Sequence, residues 1–380
     1  MNFELNEEQK MIRDAARDYA QRELITDVIE RDYKAEYPTK HIQALSELGF
    51  MGMMVDPEYE GGGMDTVSYV LAIEEISKVD ASVSVIISVN NSLVCYGIQK
   101  YGTEAQKQKY LPDLATGRKI GAFLLSEPEA GSDATMQRTT AEDKGDYYLL
   151  NGTKNWITNA HSGSVYLVIA QTHPEKKHHG INAFIVDKDT PGISLGPHED
   201  KMGMRSSDTH SVMFTDVKVP KENRIGEDGF GFTFAMKALE AGRIGIAAQA
   251  LGLASGALER SIQYAKERKA FGTEIANHQA IAFKIADMAV KVENARNLCL
   301  KAAWNKDNGK SFTIEGSMAK QYCADIAMEV TTEAVQIHGG YGYVKEYHVE
   351  RLMREAKLTQ IYEGTSEIQK IVISRNLLRD

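Results

Sequence analysis

Glu363 is the residue of this sequence whose setting best suits acid–base chemistry. It lies in the stretch Gln-Ile-Tyr-Glu-Gly-Thr-Ser-Glu-Ile-Gln, directly before Gly364. Ser366 and Gln369 are predicted to form a capping box that begins a helix. A carboxylate on such an elbow lies beside the positive end of the helix dipole and is free to point into a cleft. That position suits a general base, which must reach a substrate proton. The alternative is a solvated glutamate in a helix-capping loop.

Two motifs in the middle of the chain combine turn residues with hydrogen-bonding groups. Residues 126–133 (Ser-Glu-Pro-Glu-Ala-Gly-Ser-Asp) follow a predicted strand at 121–125 and offer backbone N–H groups and two hydroxyls to a planar cofactor or a phosphate. Residues 155–159 (Asn-Trp-Ile-Thr-Asn) place one of the two tryptophans beside polar side chains, which suits a flat ring system. A tight turn and ordinary core packing are the respective alternatives.

Two further motifs lie in the last third of the chain. Residues 268–272 (Arg-Lys-Ala-Phe-Gly), with Gln279, fall at a predicted break between two helices, and the planar fork of Arg268 would suit a pyrophosphate. Residues 336–343 (Gln-Ile-His-Gly-Gly-Tyr-Gly-Tyr) form a glycine turn that lets backbone approach a ligand closely. An ordinary helix C-terminus explains both equally well.

The composition is that of a soluble globular protein with two or three domains. The chain has 380 residues, 43% of them hydrophobic and 26% charged. A net charge of −9, without a Lys/Arg cluster, argues against a nucleic-acid partner. The three cysteines are too few and too scattered for a disulfide framework or a zinc site, so no metal is predicted.

The sequence carries no predicted targeting or membrane segment. Residues 1–14 are polar and lack the basic and apolar regions of a signal peptide. No apolar run reaches the roughly 18 residues that cross a bilayer. We therefore predict a cytoplasmic protein with no membrane partner.

The motifs lie in three regions that differ in predicted secondary structure. Residues 1–117 are predicted to be mostly helical, with capping boxes at Asn6/Gln9 and Thr103/Gln106, a short helix at 39–48 and a buried helical region at 66–101. The glycine-rich loop at 56–65 has no preceding strand and no nucleotide fingerprint.

Residues 118–228 are predicted to form a small β domain, as a barrel or two packed sheets. The predicted strands lie at 121–125, 165–170, 181–186 and 211–219, and residues 147–150 followed by Asn151-Gly152 predict a hairpin. Strands do not alternate with helices, which disfavours a Rossmann fold.

Residues 229–380 are predicted to form a four-helix bundle. The helical stretches are 232–268, 278–306, 312–338 and 347 to the C-terminus. Four glycines within 232–268 count against one straight helix. The predicted fold class is mainly α with a central β domain.

In this order, the four motifs and the Glu363 segment resemble the acyl-CoA dehydrogenase family over essentially the whole chain. The likeness is greatest to its short-chain, butyryl-CoA type, notably at 242–247 and 361–369. The glycine-turn signature from Gln336 to Glu355 fits fully. The loop at 126–133 departs at its edges, where Leu124 and Met136 replace small residues. The resemblance implies an α–β–α architecture of three domains, 1–117, 118–228 and 229–380.

The resemblance also implies a role for each matching residue. The flavin ring and its chain would be held by Phe123, Leu125, Ser126, Gly131, Ser132, Trp156, Ile157 and Thr158. The pyrophosphate and adenosine of a neighbouring subunit's FAD would be held by Arg268, Phe271, Gln279, Gln336, Ile337, His338, Gly339 and Gly340. Cofactor contacts on the subunit that carries Glu363 would come from Thr365, Ser366 and Glu367. The acyl-CoA site would be lined by Ser132, Glu240, Arg243 and Gly364, with Glu363 catalytic.

The implied reaction is FAD-dependent α,β-dehydrogenation of a short-chain acyl-CoA to its trans-2-enoyl-CoA. Glu363 would remove the α-proton while the β-hydrogen leaves as hydride, and an electron-transfer flavoprotein would accept the electrons. The implied assembly is a homotetramer built as a dimer of dimers. Three alternatives stay open: an acyl-CoA oxidase that uses O₂, a short branched-chain acyl-CoA dehydrogenase, and a non-catalytic helical scaffold, which would be colourless.

Overall fold

The first region is a cluster of helices, as predicted. The structure is a computed structural model that describes residues 4–378, so the outer domain limits at 1 and 380 and the first three residues of the polar start lie outside it. Its helices are α1 Glu7–Arg22, α2 Val28–Lys34, α3 Thr39–Glu47, α4 Thr66–Ser77, α5 Ala81–Ser88, α6 Tyr96–Tyr101 and α7 Glu104–Ala115. Both predicted capping boxes are present, at Asn6 and at Thr103.

A buried, nearly continuous helical segment runs through the centre of this cluster. A π-helical turn, Val89–Cys95, joins α5 to α6. The combined segment Ala81–Tyr101 is long and apolar enough to cross a membrane, although 94% of its most apolar window is buried inside the protein. Asn90 and Asn91 interrupt the apolar residues of this segment, and its burial shows that it is a core helix. The π turn is of interest because such turns occur frequently at functional sites.

The middle region is a β domain with its own core. Its strands are β1 Gly121–Leu124, β2 Thr140–Asp143, β3 Tyr147–Thr158, β4 Val165–Gln171, β5 Ile181–Asp187, β6 Ile193–Leu195, β7 Thr209–Pro220 and β8 Arg224–Ile225. They form one eight-stranded sheet in the order β6-β7-β3-β2-β4-β5-β8, with β1 added in parallel to β4. Alternate side chains of these strands, such as Tyr148, Leu150, Tyr166 and Phe184, enclose a separate hydrophobic cluster.

The predicted hairpin turn at Asn151-Gly152 is wrong. Strand β3 continues through these residues, and its register against β7 shifts between Leu150 and Gly152. A Cβ on Gly152, whose φ is +146°, would lie 2.6 Å from the Cα of Thr139. The Asn-Gly pair therefore forms a β-bulge within β3, not a turn that reverses the chain direction. The reversal lies earlier, between β2 and β3, where Gly145 has a φ of +91°.

The last region is a helical bundle. Its long helices are α8 Gly231–Glu267, α9 Gln279–Asp307 and α10 Thr313–His338, and a small ribbon of β9 Lys269–Ala270 and β10 Thr273–Glu274 follows α8. The fourth predicted helix is two helices, α11 Val349–Thr359 and α12 Ser366–Leu377, separated by the segment that contains Glu363. The helical stretch predicted from 347 to the C-terminus is therefore interrupted, and the interruption lies at the elbow that the sequence predicts at Glu363.

The glycines of α8 do not break the helix, because they face closely packed neighbours. A Cβ on Gly252 would lie 2.4 Å from the Glu74 carbonyl oxygen, and one on Gly256 would lie 2.5 Å from the Lys78 carbonyl oxygen. Glycine therefore lets α8 approach the backbone of α4 and the turn after it. The packing offsets the roughly 1 kcal/mol that each glycine costs relative to alanine. The predicted fold class, mainly α with a central β domain, is confirmed.

Candidate active site

The backbone between α11 and α12 bends sharply at Glu363. Glu363 and Gly364 have φ values of 51° and 92°, so two consecutive residues are left-handed. A non-glycine residue adopts this conformation at a cost and needs support from its surroundings. The predicted capping box of Ser366 and Gln369 is wrong, because Thr365 is the N-cap and its hydroxyl accepts the Ile368 N–H at 3.3 Å.

The Glu363 carboxylate points into a narrow space between helices. The residue is half-buried, and its Oε2 is shielded from solvent and has no hydrogen-bond partner among the described residues. A Cβ on Gly242 of α8 would lie 2.2 Å from this oxygen and 2.8 Å from Cδ2 of Leu93 in the π turn. The absence of a side chain at Gly242 therefore makes the room that the carboxylate occupies. The alternative of a solvated glutamate is wrong.

The surroundings of Glu363 adjust its basicity. Burial raises the pKa of Glu363 to about 7, while the positive charges of Lys320 and Arg243 act in the opposite direction. A carboxylate with a pKa near neutrality is a stronger base than an exposed one, and a substantial fraction of it is still ionised at working pH. The site thus holds a carboxylate suited to accept a proton.

Helix α8 brings Glu240 and Arg243 to the same region as Gly242. The Glu240 carboxylate accepts hydrogen bonds from Thr313 Oγ1 at 3.1 Å and Lys237 Nζ at 3.2 Å. Arg243 is buried, and its Nη1 donates to Ser317 Oγ at 3.2 Å while its Nε has no partner among the described residues. A buried guanidinium with a spare donor is suited to a polar ligand.

A buried ion pair stabilises the loop that follows β1. Lys154 of β3 is inaccessible to solvent, and its Nζ donates to Glu127 Oε1 at 2.8 Å and to the Leu125 carbonyl at 3.0 Å. Glu127 also accepts the backbone N–H groups of Arg138 and Thr139. Sequence reasoning missed Lys154, although a lysine at an inward position of a strand was a usable signal. In the same loop, Gly131 and Ser132 are exposed and Ser126 is half-buried.

The end of β3 presents a large aromatic surface to solvent. Trp156 is 61% exposed and has a φ of 60°, so the interpretation of this residue as core packing is wrong. Ile157 points the other way and is 2% exposed, which leaves only its backbone available to a ligand. Thr158 is half-buried, and the Asn155 N–H donates to the Ser126 carbonyl at 2.8 Å. This bond joins the two β-domain motifs.

A second group of candidate residues lies at one end of the bundle, on a different domain. Tyr264 of α8 stacks on His338 of α10 with ring centroids 4.2 Å apart, and the Arg268 guanidinium lies 5.3 Å from the Tyr341 ring centroid. The side chains of Ile337 and His338 are buried, so only their backbones are available. The exposed members are Arg268, Phe271, Gln279, Gln336, Gly339 and Gly340.

Both groups have the chemistry to hold FAD. The β-domain group offers hydroxyls, loop N–H groups and an exposed indole, which suit a flavin ring and its chain. The bundle group offers a guanidinium, amides and two glycines around which a Cβ would meet no atom within 4 Å, which suits an approaching pyrophosphate. Thr365 and Glu367 flank the elbow, whereas the Ser366 side chain is buried and donates to Asp325 Oδ1 at 3.2 Å.

Comparisons with known proteins identify the family. Residues 6–118, 122–217 and 229–378 match the N-terminal, middle and C-terminal domains of acyl-CoA dehydrogenase. The chain belongs to the acyl-CoA dehydrogenase family. A short-chain specific acyl-CoA dehydrogenase of Clostridium acetobutylicum is 47% identical over 379 residues, 100% of each chain.

Two solved structures share the same fold. Butyryl-CoA dehydrogenase from Megasphaera elsdenii superposes with a TM-score of 0.98 at 48% identity, covering 100% of both chains. A chain in the structure of the electron transferring flavoprotein of Acidaminococcus fermentans superposes with a TM-score of 0.99 at 50% identity, again over 100% of both chains. The predicted family, enzyme class and FAD cofactor are confirmed. The individual residue assignments and the domain limits stay predictions.

Proposed function

We propose that this chain oxidises butyryl-CoA and similar short acyl-CoA thioesters to trans-2-enoyl-CoA, with an electron-transfer flavoprotein as acceptor. The observation that carries the proposal is the Glu363 carboxylate, whose unpartnered oxygen faces Gly242 and whose pKa burial raises to about 7. The short-chain and butyryl-CoA relatives support the substrate, and the electron transferring flavoprotein structure supports the acceptor.

In this mechanism the chain orients the thioester and moves one proton. Glu363 accepts the α-proton, and the electron pair of the broken C–H bond moves toward the thioester carbonyl. The backbone N–H of Glu363 lies on the same elbow and donates to the enolate oxygen as charge develops there; one fixed donor of this kind contributes roughly 3 kcal/mol. When bound, FAD supplies the acceptor for the β-hydrogen, which leaves as hydride. Arg243, Glu240, Ser132 and Gly364 line the acyl-CoA path.

A chain-length series tests the substrate class. We expect the highest kcat/KM near four acyl carbons, with overlap at six carbons, because each additional methylene changes binding by only about 1–3 kcal/mol. Steady-state turnover of the purified protein with straight-chain thioesters measures this, and isobutyryl-CoA and isovaleryl-CoA serve as branched comparisons. Higher kcat/KM for octanoyl-CoA or for a branched thioester than for butyryl-CoA would refute the short straight-chain assignment.

The acceptor separates a dehydrogenase from an oxidase. With butyryl-CoA in air, we expect oxygen consumption to be a small fraction of the turnover seen with an electron-transfer flavoprotein or an artificial dye. An oxygen electrode beside a dye-reduction assay measures both. Equal rates with oxygen as the only acceptor would establish the oxidase alternative.

We also propose a homotetramer, a dimer of dimers, in which the bundle end of one subunit contacts the FAD of another. Support comes from the exposed ligand-type residues of that end, which lie on a different domain from the β-domain group. Large apolar side chains are exposed nearby on the bundle, among them Phe271 at 98%, Phe283 at 60% and Val290 at 62%. Exposed apolar surface of this kind marks association sites. The cytoplasmic location stays a prediction.

Arg268→Ala tests the shared cofactor site. Hydrogen bonds to charged groups contribute about 1.5–3 kcal/mol, so we expect FAD affinity to fall about 10- to 100-fold, with a loss of tetramer at low concentration. Flavin content after dialysis and size-exclusion chromatography measure the two effects. Lys269→Ala is the matched control, since Lys269 is exposed on the same segment and pairs with Glu274 at 3.4 Å. Full FAD occupancy in dialysed Arg268→Ala would remove Arg268 from the cofactor site.

A further inference from the structure

Lys320 of α10 is a fully buried lysine directly beneath the Glu363 elbow. Its side chain is 0% exposed, and its Nζ donates to the Gly364 carbonyl oxygen at 2.7 Å. Burying an ammonium group is costly unless it gains hydrogen bonds or an opposite charge. Lys320 gains both at this site, because the Glu363 carboxylate acts on it through its negative charge.

The bond from Lys320 holds a backbone segment that needs support. The Gly364 carbonyl also accepts a hydrogen bond from Gln369 Nε2 at 2.9 Å, so two donors fix the peptide that follows Glu363. Left-handed conformations at Glu363 and Gly364 persist only where surrounding structure determines them. The hydrogen bonds from Lys320 on α10 and Gln369 on α12 hold the elbow in this conformation.

The same helix also fixes both ends of the elbow. The Asp325 carboxylate accepts hydrogen bonds from Gln360 Nε2 at 2.8 Å and from Ser366 Oγ at 3.2 Å. Gln360 precedes the elbow and Ser366 follows it, while Lys320 holds Gly364 between them. Helix α10 therefore anchors the segment that carries Glu363 at three points.

Among residues 4–378, Lys320 is also one of two cations whose charges act on the Glu363 carboxylate. Arg243 on α8 is the other, and both lower the pKa of Glu363 against the effect of burial. Tyr69 on α4 and the adjacent Tyr362 also lie near this carboxylate, and burial raises the pKa of both hydroxyls so that they stay neutral. The negative charges of Asp325 and Glu367 act on Lys320 and favour its charged form. Burial lowers the pKa of Lys320 itself to about 8, so it is largely charged at neutral pH.

We propose that Lys320 is a positioning residue for Glu363, holding the Gly364 peptide and supplying the positive charge that favours the ionised carboxylate. Lys320 touches neither the substrate nor the cofactor in this account, and it acts only through Glu363. The catalytic meaning of this role rests on the proposed function, since Glu363 must be the base for its ionisation to control the reaction.

The sign of the expected effect follows from the charges. When a neutral residue replaces Lys320, burial of Glu363 persists but its main counter-charge is lost, so the pKa of Glu363 rises above about 7. A close opposite charge typically lowers a carboxyl pKa by about 1–3, and its removal reverses that effect. At a pH below both pKa values, a pKa higher by about one lowers the ionised fraction about tenfold. The rate of flavin reduction should therefore fall at acidic and neutral pH and recover as the pH is raised.

Two variants separate the charge from the hydrogen bond. Lys320→Met removes the charge and the donor, whereas Lys320→Gln removes the charge and keeps an amide donor. Lys306→Met is the matched control, because Lys306 on α9 is another lysine whose pKa burial lowers, and it bonds to Thr66 rather than to the elbow. Infrared titration of the FAD-loaded protein without substrate follows the Glu363 carboxyl band, which is assigned by its loss in Glu363→Gln.

We expect the Glu363 band to titrate at higher pH in both Lys320 variants and at the original pH in Lys306→Met. The pH profile of flavin reduction should shift by the same amount, with maximal rates at high pH better preserved in Lys320→Gln. Unchanged titration in both Lys320 variants, or an equal shift in Lys306→Met, would overturn the proposal. If Lys320→Met does not fold, Lys320→Gln decides. Because the titration needs no substrate, it decides the role of Lys320 even if butyryl-CoA fails to reduce the flavin.

Discussion

Glu363→Gln should lower the rate of flavin reduction by butyryl-CoA at least about 10²–10⁴-fold, the contribution attributed to a positioned general base. The amide has nearly the same shape and fills the same space beside Gly242, but it cannot accept the α-proton. FAD content and acyl-CoA binding should stay close to those of the unsubstituted protein. Rapid mixing under anaerobic conditions measures the reduction step directly.

Glu30→Gln is a suitable control for that substitution. Glu30 is an exposed carboxylate on α2 that pairs with the exposed Lys34, so its neutralisation should leave the reduction rate unchanged. Near-normal reduction in Glu363→Gln would remove Glu363 from its role, whatever the control does. A parallel loss of FAD would instead show that the elbow had collapsed, and binding data are therefore collected on the same samples.

Gly242→Glu in a Glu363→Gly background should recover part of the lost activity, at least tenfold above Glu363→Gly alone. The geometric reason is that a Cβ on Gly242 would lie 2.2 Å from the present position of Glu363 Oε2. A glutamate on α8 can therefore bring a carboxylate to the same space once Glu363 is gone. Helix α8 should tolerate the change, because glutamate is the better helix former by several tenths of a kcal/mol.

The matched control is Gly242→Gln in the same Glu363→Gly background, which adds the bulk without the base. It should show no recovery. Gly242→Glu with Glu363 intact should be slower than the unsubstituted protein, because two carboxylates would compete for one space. Equal activity of the Glu and Gln double variants would contradict the shared geometry while leaving the role of Glu363 to its own test.

Local signals in the sequence indicate Glu363 as a candidate base but do not describe its support. A glutamate before a glycine and a run of capping residues is visible within ten residues. The cap itself was displaced by one residue, since Thr365 and Ser366 both carry hydroxyls and only the backbone path decides between them. The role of Lys320 could not be predicted from local sequence, because its hydrogen-bond partner, Gly364, lies 44 residues further along the chain.

The errors in the fold have the same origin. Asn151-Gly152 has the local chemistry of a hairpin turn, and only its neighbours in β2 and β7 show that it is a bulge. The glycines of α8 look like breaks until α4 is placed against them, where they permit close packing. Helical periodicity and strand runs predicted the three regions, because those signals are local to each segment.

Anaerobic rapid mixing of the unsubstituted, FAD-loaded protein with butyryl-CoA tests most directly whether the chain is a short-chain acyl-CoA dehydrogenase. We expect the yellow flavin to bleach within the time of a turnover, and to bleach faster as the pH rises through about 7, the pKa to which burial raises Glu363. A flavin that stays oxidised in excess butyryl-CoA across that pH range would show that the chain does not dehydrogenate this substrate.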